Sequence, residues 1–323
     1  MKHIRLLVIL AAVGAAAAVP FAVFFFRSPV LVVTDAPFAA LYGKDNLRRQ
    51  RLSASWALFR RVKPVMVADG ASPDIVVHAL REAAGQPMCA LFARSQAMAA
   101  LRYHEEFPEV PVVVLRGLVS VPELSSPDGF LCVYGTDREV DLYRAGLCAG
   151  ILGSARRNLA QQAEEQAQQA EIQPESVVSR AQAPQTYVLW QDRYMQGAVR
   201  ELFSRGVQEE DTESNVIFIN LAIQMPDVKG VACLTLTGAG SEYLERNPPI
   251  PLILFSWVDP ALTAQEVVVQ FDDSPWGLAV PAARMAVQQQ AEGKIPSRPL
   301  IFSGKTADNN IFRALKKSAK KMP

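Results

Sequence analysis

The chain has 323 residues, 50% hydrophobic and 20% charged, with a formal net charge of +1. That length exceeds one typical core and points to about two compact units. A nearly balanced charge, with a pI of about 7.7, gives no electrostatic footprint for nucleic acid and excludes a DNA or RNA binder.

Lys2, His3 and Arg5 precede an apolar run from Leu6 to Phe26, which Arg27 closes. About 21 helical residues at about 1.5 Å each span about 30 Å, the thickness of a bilayer core. A cleaved signal peptide would use Leu6 to Val13 as its apolar region and Ala15 to Ala18 as its cleavage site. Cleavage there leaves Val19 to Phe26 as an exposed apolar start, unfavourable in water, so residues 1–27 read better as an uncleaved anchor. No Cys follows the run, which does not support a lipoprotein attachment. The cations in front of the run outnumber the single Arg27 behind it, placing the body in the periplasm or on the extracytoplasmic face of the membrane.

Beyond the run, Val30 to Val33 reads as a buried strand, followed by the loop Thr34-Asp35-Ala36-Pro37-Phe38. Ala39 to Arg61 fits a long surface helix, and Val62 to Asp69 a second strand. Pro73 to Gly85 is helical with a terminal Gly as its stop signal, Pro87 to Arg94 is a third strand, and Ser95 caps a helix running to Phe107. Val110 to Arg116 and Phe130 to Tyr134 are further strands. Strands alternating with helices imply right-handed crossovers and a parallel sheet.

The helix from Arg138 to Arg157 has small residues between its apolar ones, which predicts close packing. Asn158 to Gln185 is rich in Gln, Ala and Glu and reads as a helical extension and solvated surface insertion, with a partner-binding arm as the alternative. The α/β pattern then resumes: strands at Tyr187–Trp190, Val216–Leu221, Val231–Leu236 and Pro251–Phe255, with a helix over Tyr194–Gln208. Val267 to Val269 leads into Gln270-Phe271-Asp272-Asp273, then a helix over Gly277–Glu292 and a short apolar run, Leu300 to Phe302. The expected organisation is 1–27 as signal anchor or signal peptide, 28–135 as the first part of lobe one, and 136–260 as lobe two with its insertion at 158–185. Residues 261–303 would return to lobe one and 304–323 form a basic tail.

Ligands in open parallel sheets bind beyond the carboxyl ends of the strands. The residues there are Asp35, Phe38, Asp69, Ser95, Arg116, Asp137, Trp190, Asp192, Arg193, Thr237, Trp257, Asp259, Asp272 and Asp273. Singly, each Asp or Ser is more often a helix cap than a ligand contact. Together they combine carboxylates, guanidinium groups and aromatic faces, a chemistry suited to a polar, ring-containing small molecule held in a cleft between two lobes. An enzyme is not expected. His3, His78 and His104 are the only histidines, no Walker A or G-x-G-x-x-G sequence follows a strand, and no cofactor or metal motif is present. The four cysteines, Cys89, Cys132, Cys148 and Cys233, match no metal spacing and read as small buried hydrophobes, with a disulfide left open.

Four stretches, VLVVTDAPF, FLCVYGTDREVDLYRAGLCAGIL, YVLWQDRYMQGAVRELF and VVVQFDDSPWGLAVPAARMAV, resemble the type I periplasmic binding proteins, including their sugar-binding and basic-membrane-protein-like groups. The resemblance spans most of residues 30–303. It implies an α/β fold of two doubly wound parallel-sheet lobes with a hinge, here preceded by an N-terminal apolar helix. By position, Phe38 resembles the aromatic that stacks on a bound ring, Arg116 and Arg193 resemble charged contacts, and Asp259 and Asp272 resemble polar contacts near the hinge. The implied function is capture of a small polar ligand, a sugar, nucleoside or related solute, for an ABC transporter permease. A membrane-tethered sensor or accessory subunit of the same fold is the alternative.

Overall fold

Val30–Asp35 form β1, and its first five side chains are buried. A run of β-branched and aliphatic residues covered on both faces is the pattern of an interior parallel strand. The computed structural model to which β1 belongs describes residues 22–117, 130–169, 185–190, 198–220, 231–237, 250–255, 267–301 and 308–321. The helix expected over Ala39–Arg61 is two helices, α1 (Ala36–Tyr42) and α2 (Lys44–Leu58). Gly43 separates them with φ +78°, a conformation that side-chain-bearing residues rarely adopt, and its N–H closes α1 on the Ala39 carbonyl. Then follow β2 (Val62–Val67), α3 (Pro73–Ala83) and β3 (Cys89–Ala93). Ser95 does not cap the next helix: it sits inside a 3-10 turn, Arg94–Gln96, and α4 (Ala97–Glu106) starts without a side-chain cap. β4 (Val112–Gly117) and β5 (Leu131–Thr136) complete this part of the chain.

A single helix, α5 (Arg138–Gln169), covers the expected helix and the Gln-rich segment as far as Gln169. Gln, Ala and Glu are good helix formers, so the helix continues where the core-facing pattern stops. β6 (Gln185–Trp190), α6 (Ala198–Glu210), β7 (Asn215–Asn220), β8 (Val231–Thr237), β9 (Leu252–Phe255) and β10 (Val267–Asp272) follow. After them come α7 (Pro275–Val287), β11 (Glu292–Ile295), β12 (Arg298–Ile301) and α8 (Asp308–Lys321).

These elements form two units, residues 1–136 with 275–295 and residues 137–274 with 296–323. In the first, strand order is β11-β5-β4-β3-β1-β2 and all pairs are parallel. Leu31, Val33, Phe92, Val112 and Val114 of its sheet pack with Val77 and Leu80 of α3 and Tyr103 of α4, while α7 packs against β1, β3 and β4. In the second unit the order is β12-β10-β9-β8-β6-β7, parallel except for β12, which runs antiparallel to β10. Its core joins Tyr143, Leu147 and Ile151 of α5 to Phe203 and Val207 of α6, Phe255 and Phe271 of the sheet, and Ile311 and Leu315 of α8.

The expected return to lobe one at residue 261 is corrected by strand pairing. β10 is hydrogen-bonded to β9 and belongs to the second unit, so the chain returns only at Pro275 and leaves again after Ile295. The expected basic tail, 304–323, contains α8, whose buried Ile311, Ala314 and Leu315 make it part of the second core. Cys89, Cys132 and Cys148 are buried, and desolvation, then the neighbouring Cys132, pushes the Cys89 thiol up to about 12. Of the amino-terminal apolar run, residues 22–26 are described and helical. Among the described residues no helix is long and apolar enough to cross a membrane.

Candidate functional site

In the first unit, β1, β3 and β4 are neighbours, so their carboxyl ends bring Asp35 and Phe38, Ser95 and Arg116 to one edge. Asp35 acts as a cap: its Oδ1 accepts the Phe38 N–H at 2.7 Å and holds the start of α1. Phe38 is partly exposed and stacks on Tyr42, centroids 5.1 Å apart, so one face of an aromatic pair is already fixed by the protein. Arg116 lies within β4 rather than beyond it. Behind this edge the buried Trp276 at the start of α7 donates its indole N–H to Thr34 Oγ1 at 3.1 Å, locking the end of β1 to α7.

In the second unit the register aligns four strand ends. Trp190 of β6 pairs with Thr237 of β8, Thr237 with Phe255 of β9, and Phe255 with Phe271 of β10, which precedes Asp272. Phe255 and Phe271 stack with centroids 5.0 Å apart. Arg138, the first residue of α5, places its guanidinium 5.5 Å from the Phe255 ring centroid and bonds Asp273 Oδ2 at 2.9 Å. Both side chains of that pair are 17% exposed. Burial raises the Asp273 carboxyl above its ordinary range, and the Arg138 charge opposes the shift. Asp272 is fully buried and its Oδ1 accepts the Ser274 N–H at 3.0 Å. Asp137 precedes α5 and accepts the Val140 N–H at 3.3 Å, a capping role.

One turn into α5, Asp141 is fully buried. Its Oδ1 accepts the Ser297 N–H at 2.9 Å, while its Oδ2 has no partner among the described residues. Desolvation raises its carboxyl to about 7 against the opposing contributions of Ser297, Arg138 and Arg144. The chain passes between the units after Thr136, after Ser274 and after Ile295. On the second unit's side, the Arg138–Asp273 pair and the Asp141–Ser297 bond therefore tie together the segments that adjoin all three passages.

Asp192, Arg193, Trp257 and Asp259 lie outside the described residues. Arg138, Asp141 and Phe255 are not among the residues singled out from sequence. The available signal was the DREVD stretch, where an acid interrupts the apolar residues Val140, Leu142 and Tyr143 on a helix that is otherwise core-facing. A cavity of about 800 Å³ between α5 and α8, lined by Leu152, Leu159, Arg313 and Lys317, also touches Pro251. Pro251 precedes the amino end of β9, so this cavity is at the opposite edge from the strand ends where ligands bind in such sheets. Among the described residues no group of three or more His, Cys, Asp or Glu side chains is placed to hold a metal ion.

No family model matches the chain, and no curated protein matches it. Solved structures do. An ABC transporter system solute-binding protein from Conexibacter woesei aligns with a TM-score of 0.52 at 12% identity, over 92% of this chain and 99% of that one. A transcriptional activator of the comK gene from Bacillus halodurans aligns with a TM-score of 0.48 at 12% identity, over 90% and 97%. An arabinose-binding protein from Geobacillus stearothermophilus aligns with a TM-score of 0.46 at 12% identity, over 89% and 99%. With two α/β units, each built on a wholly or mainly parallel sheet, and three chain passages between them, the chain has the fold of the type I periplasmic binding proteins.

Proposed function

We propose that the chain is an extracytoplasmic solute-binding protein that captures a small polar ligand, a sugar, nucleoside or related ring compound, for an ABC transporter. In this reading the apolar run before Arg27 tethers it to the membrane. The observation that supports the reading most is the carboxyl edge of the second sheet, where the Arg138 guanidinium and the Asp273 carboxylate pair over the buried Phe255 ring. Aromatic faces stack on sugar or base rings, and a guanidinium beside carboxylates offers both donors and acceptors to hydroxyl groups. In the first unit the partly exposed Phe38, stacked on the buried Tyr42, offers the aromatic face. Arg116, Trp190 and Asp272 stand at strand ends, and Asp192, Arg193, Trp257 and Asp259 follow β6 and β9 in sequence, so the proposed contact set includes them. Asp35, Ser95 and Asp137, at or just beyond the ends of β1, β3 and β5, complete the proposed contact set.

Thermal unfolding of the purified, ligand-free full chain with a panel of sugars and nucleosides tests this. A ligand that binds the folded state alone raises stability by about 2.7 kcal/mol at a hundred times its Kd. The expected result is a raised Tm with one chemical class, reduced by Phe38→Ala with little change in the ligand-free Tm. Folded protein that shows no shift with any compound, and releases no small molecule on denaturation by mass spectrometry, refutes it.

A tethered sensor or accessory subunit is favoured by one feature. At about 1.5 Å per residue, the 32 residues of α5 reach about 48 Å, and Gln161, Gln162, Glu165 and Gln166 toward its end are exposed. Co-purification with a membrane protein other than a permease supports that second reading.

A further inference from the structure

The last turn of the apolar run does not stand clear of the first unit. Residues 22–26 are helical, and the Phe24 ring packs on Trp56 and Phe59 with centroids 6.4 and 5.9 Å away. Phe25 meets Phe24 edge-on at 5.6 Å, the Arg27 guanidinium lies 5.5 Å from the Phe59 ring centroid, and Arg60 donates to the Ser28 carbonyl at 3.2 Å. These contacts fix the run against the carboxyl end of α2. Around these contacts large apolar side chains remain exposed: Trp56 at 70% and Phe25 at 54% take part in them, Phe26 at 89% follows Phe25 in the chain, and Leu52 at 47% lies one helical turn before Trp56. On a water-facing surface, a group of large apolar side chains this exposed marks an interaction site.

From these contacts we infer that the patch formed by Phe25, Phe26, Leu52 and Trp56 is a lipid-facing surface that seats the first unit on the membrane interface. The inference rests on the tethered reading above and specifies which face the tether presents. Two observations select lipid over a protein partner. The patch is continuous in sequence with the apolar stretch Leu6 to Phe21, so whatever solvates that stretch begins at Val23 to Phe26. Charge is the second. Leu52 follows Arg48 and Arg49 at helical spacing of three to four residues and Trp56 follows one turn later on α2, which carries Lys44, Arg48, Arg49 and Arg51 against a single acid, Asp45. An apolar aromatic surface on a helix with this excess of cations matches the boundary between acyl chains and anionic headgroups, where Trp prefers to sit and basic residues are attracted.

The full chain, reconstituted into phosphatidylcholine vesicles containing phosphatidylglycerol, tests this after flotation. The probe is the Trp56 emission, obtained as the difference between wild type and Trp56→Phe. The expected result is that this component is quenched by acyl chains brominated near the headgroup and shielded from aqueous iodide. Omitting phosphatidylglycerol should weaken the bromolipid quenching severalfold in wild type, and Arg48→Glu with Arg49→Glu should remove that dependence while leaving the Tm unchanged. If the chain floats but Trp56 is quenched by iodide and not by bromolipid, the patch faces water or a protein and the inference is overturned while the tether stands. A chain that does not float overturns both. Quenching that is the same with and without phosphatidylglycerol overturns the assignment of the arginines to anionic headgroups.

Discussion

At the residue scale, the most consequential side chain is Asp141. Its carboxyl titrates at about 7 in the folded protein, against an ordinary value of 3.8, because burial penalises the charge more than Ser297, Arg138 and Arg144 relieve it. The folded state therefore holds one proton more than the unfolded chain between about pH 4 and 7. Stability contributed by this group is complete at the acidic end of that window and is lost as pH rises through it, levelling off above about 7. Asp273, also raised by burial, acts in the same sense. Asp141→Asn keeps an acceptor for the Ser297 N–H and carries no charge, so it should flatten the decline. Each tenfold difference in proton affinity between the folded and unfolded states is worth about 1.4 kcal/mol. Urea unfolding at a series of pH values should therefore show the variant gaining a few kcal/mol on wild type at pH 8 and close to none at pH 4. Equal pH slopes in the two proteins would show that the carboxyl is not titrating there. Asp141 was hidden in the sequence for a physical reason: an acid at one helical position looks like solvent-facing polarity, and its burial depends on Ser297, 156 residues away. Asp35 was more legible, since a carboxylate three residues before a helical N–H is a local arrangement, and the bond to Phe38 is of that kind.

At the element scale, α5 and α6 approach so closely that glycines carry the contact. A Cβ on Gly146 would collide with the Phe203 carbonyl oxygen, one on Gly206 with the Tyr143 carbonyl oxygen, and one on Gly150 would stand 2.6 Å from the Val207 carbonyl oxygen. All three obstacles are backbone and cannot rotate away. Alanine in a helix gains about 1 kcal/mol over glycine in propensity, but overpacking of this kind costs about 1–3 kcal/mol, so steric strain wins. Gly146→Ala should lower the urea midpoint by that net loss with an unchanged m value, and Gly206→Ala should behave alike. Gly85→Ala is the control: nothing lies within 4 Å of its Cβ position, and its stability should stay within about 0.5 kcal/mol of wild type. The small residues of AGLCAGILGSA announced this packing, because a helix with gaps between its apolar positions invites a neighbour to close range. Helix ends were less legible. α5 runs on to Gln169 because no residue in that stretch stops it, and α1 ends at Gly43, whose effect depends on its φ rather than on its surroundings in sequence.

At the scale of the whole molecule, two successive α/β patterns were readable from strand and helix periodicity, but the passages between units were not. β10 and α7 are an ordinary strand followed by an ordinary helix, yet the strand pairs with β9 in one unit and the helix packs on β1, β3 and β4 in the other. Local pattern cannot say which sheet a strand joins. The division has a testable consequence at the carboxyl end. The first unit is complete at Ile295, the last residue of β11, whereas the second still needs β12 and α8. Ending the chain after Ile295 strips β10 of its antiparallel partner and removes the fully buried Ile311 and the nearly buried Leu315 from the core against α5. Each of those two side chains is worth about 1.5–3 kcal/mol of burial, and the uncovered faces of α5 and β10 add to the loss, which together approaches the whole stability of a typical domain. Hydrogen exchange of the 1–295 chain should show β1, β3 and β4 retaining slow amides while α5, α6 and β10 exchange at rates near those of unfolded chain. The buried Trp276, held to Thr34 within the first unit, should keep its near-ultraviolet circular dichroism. Loss of protection in both units together would show that they fold as one cooperative body rather than two.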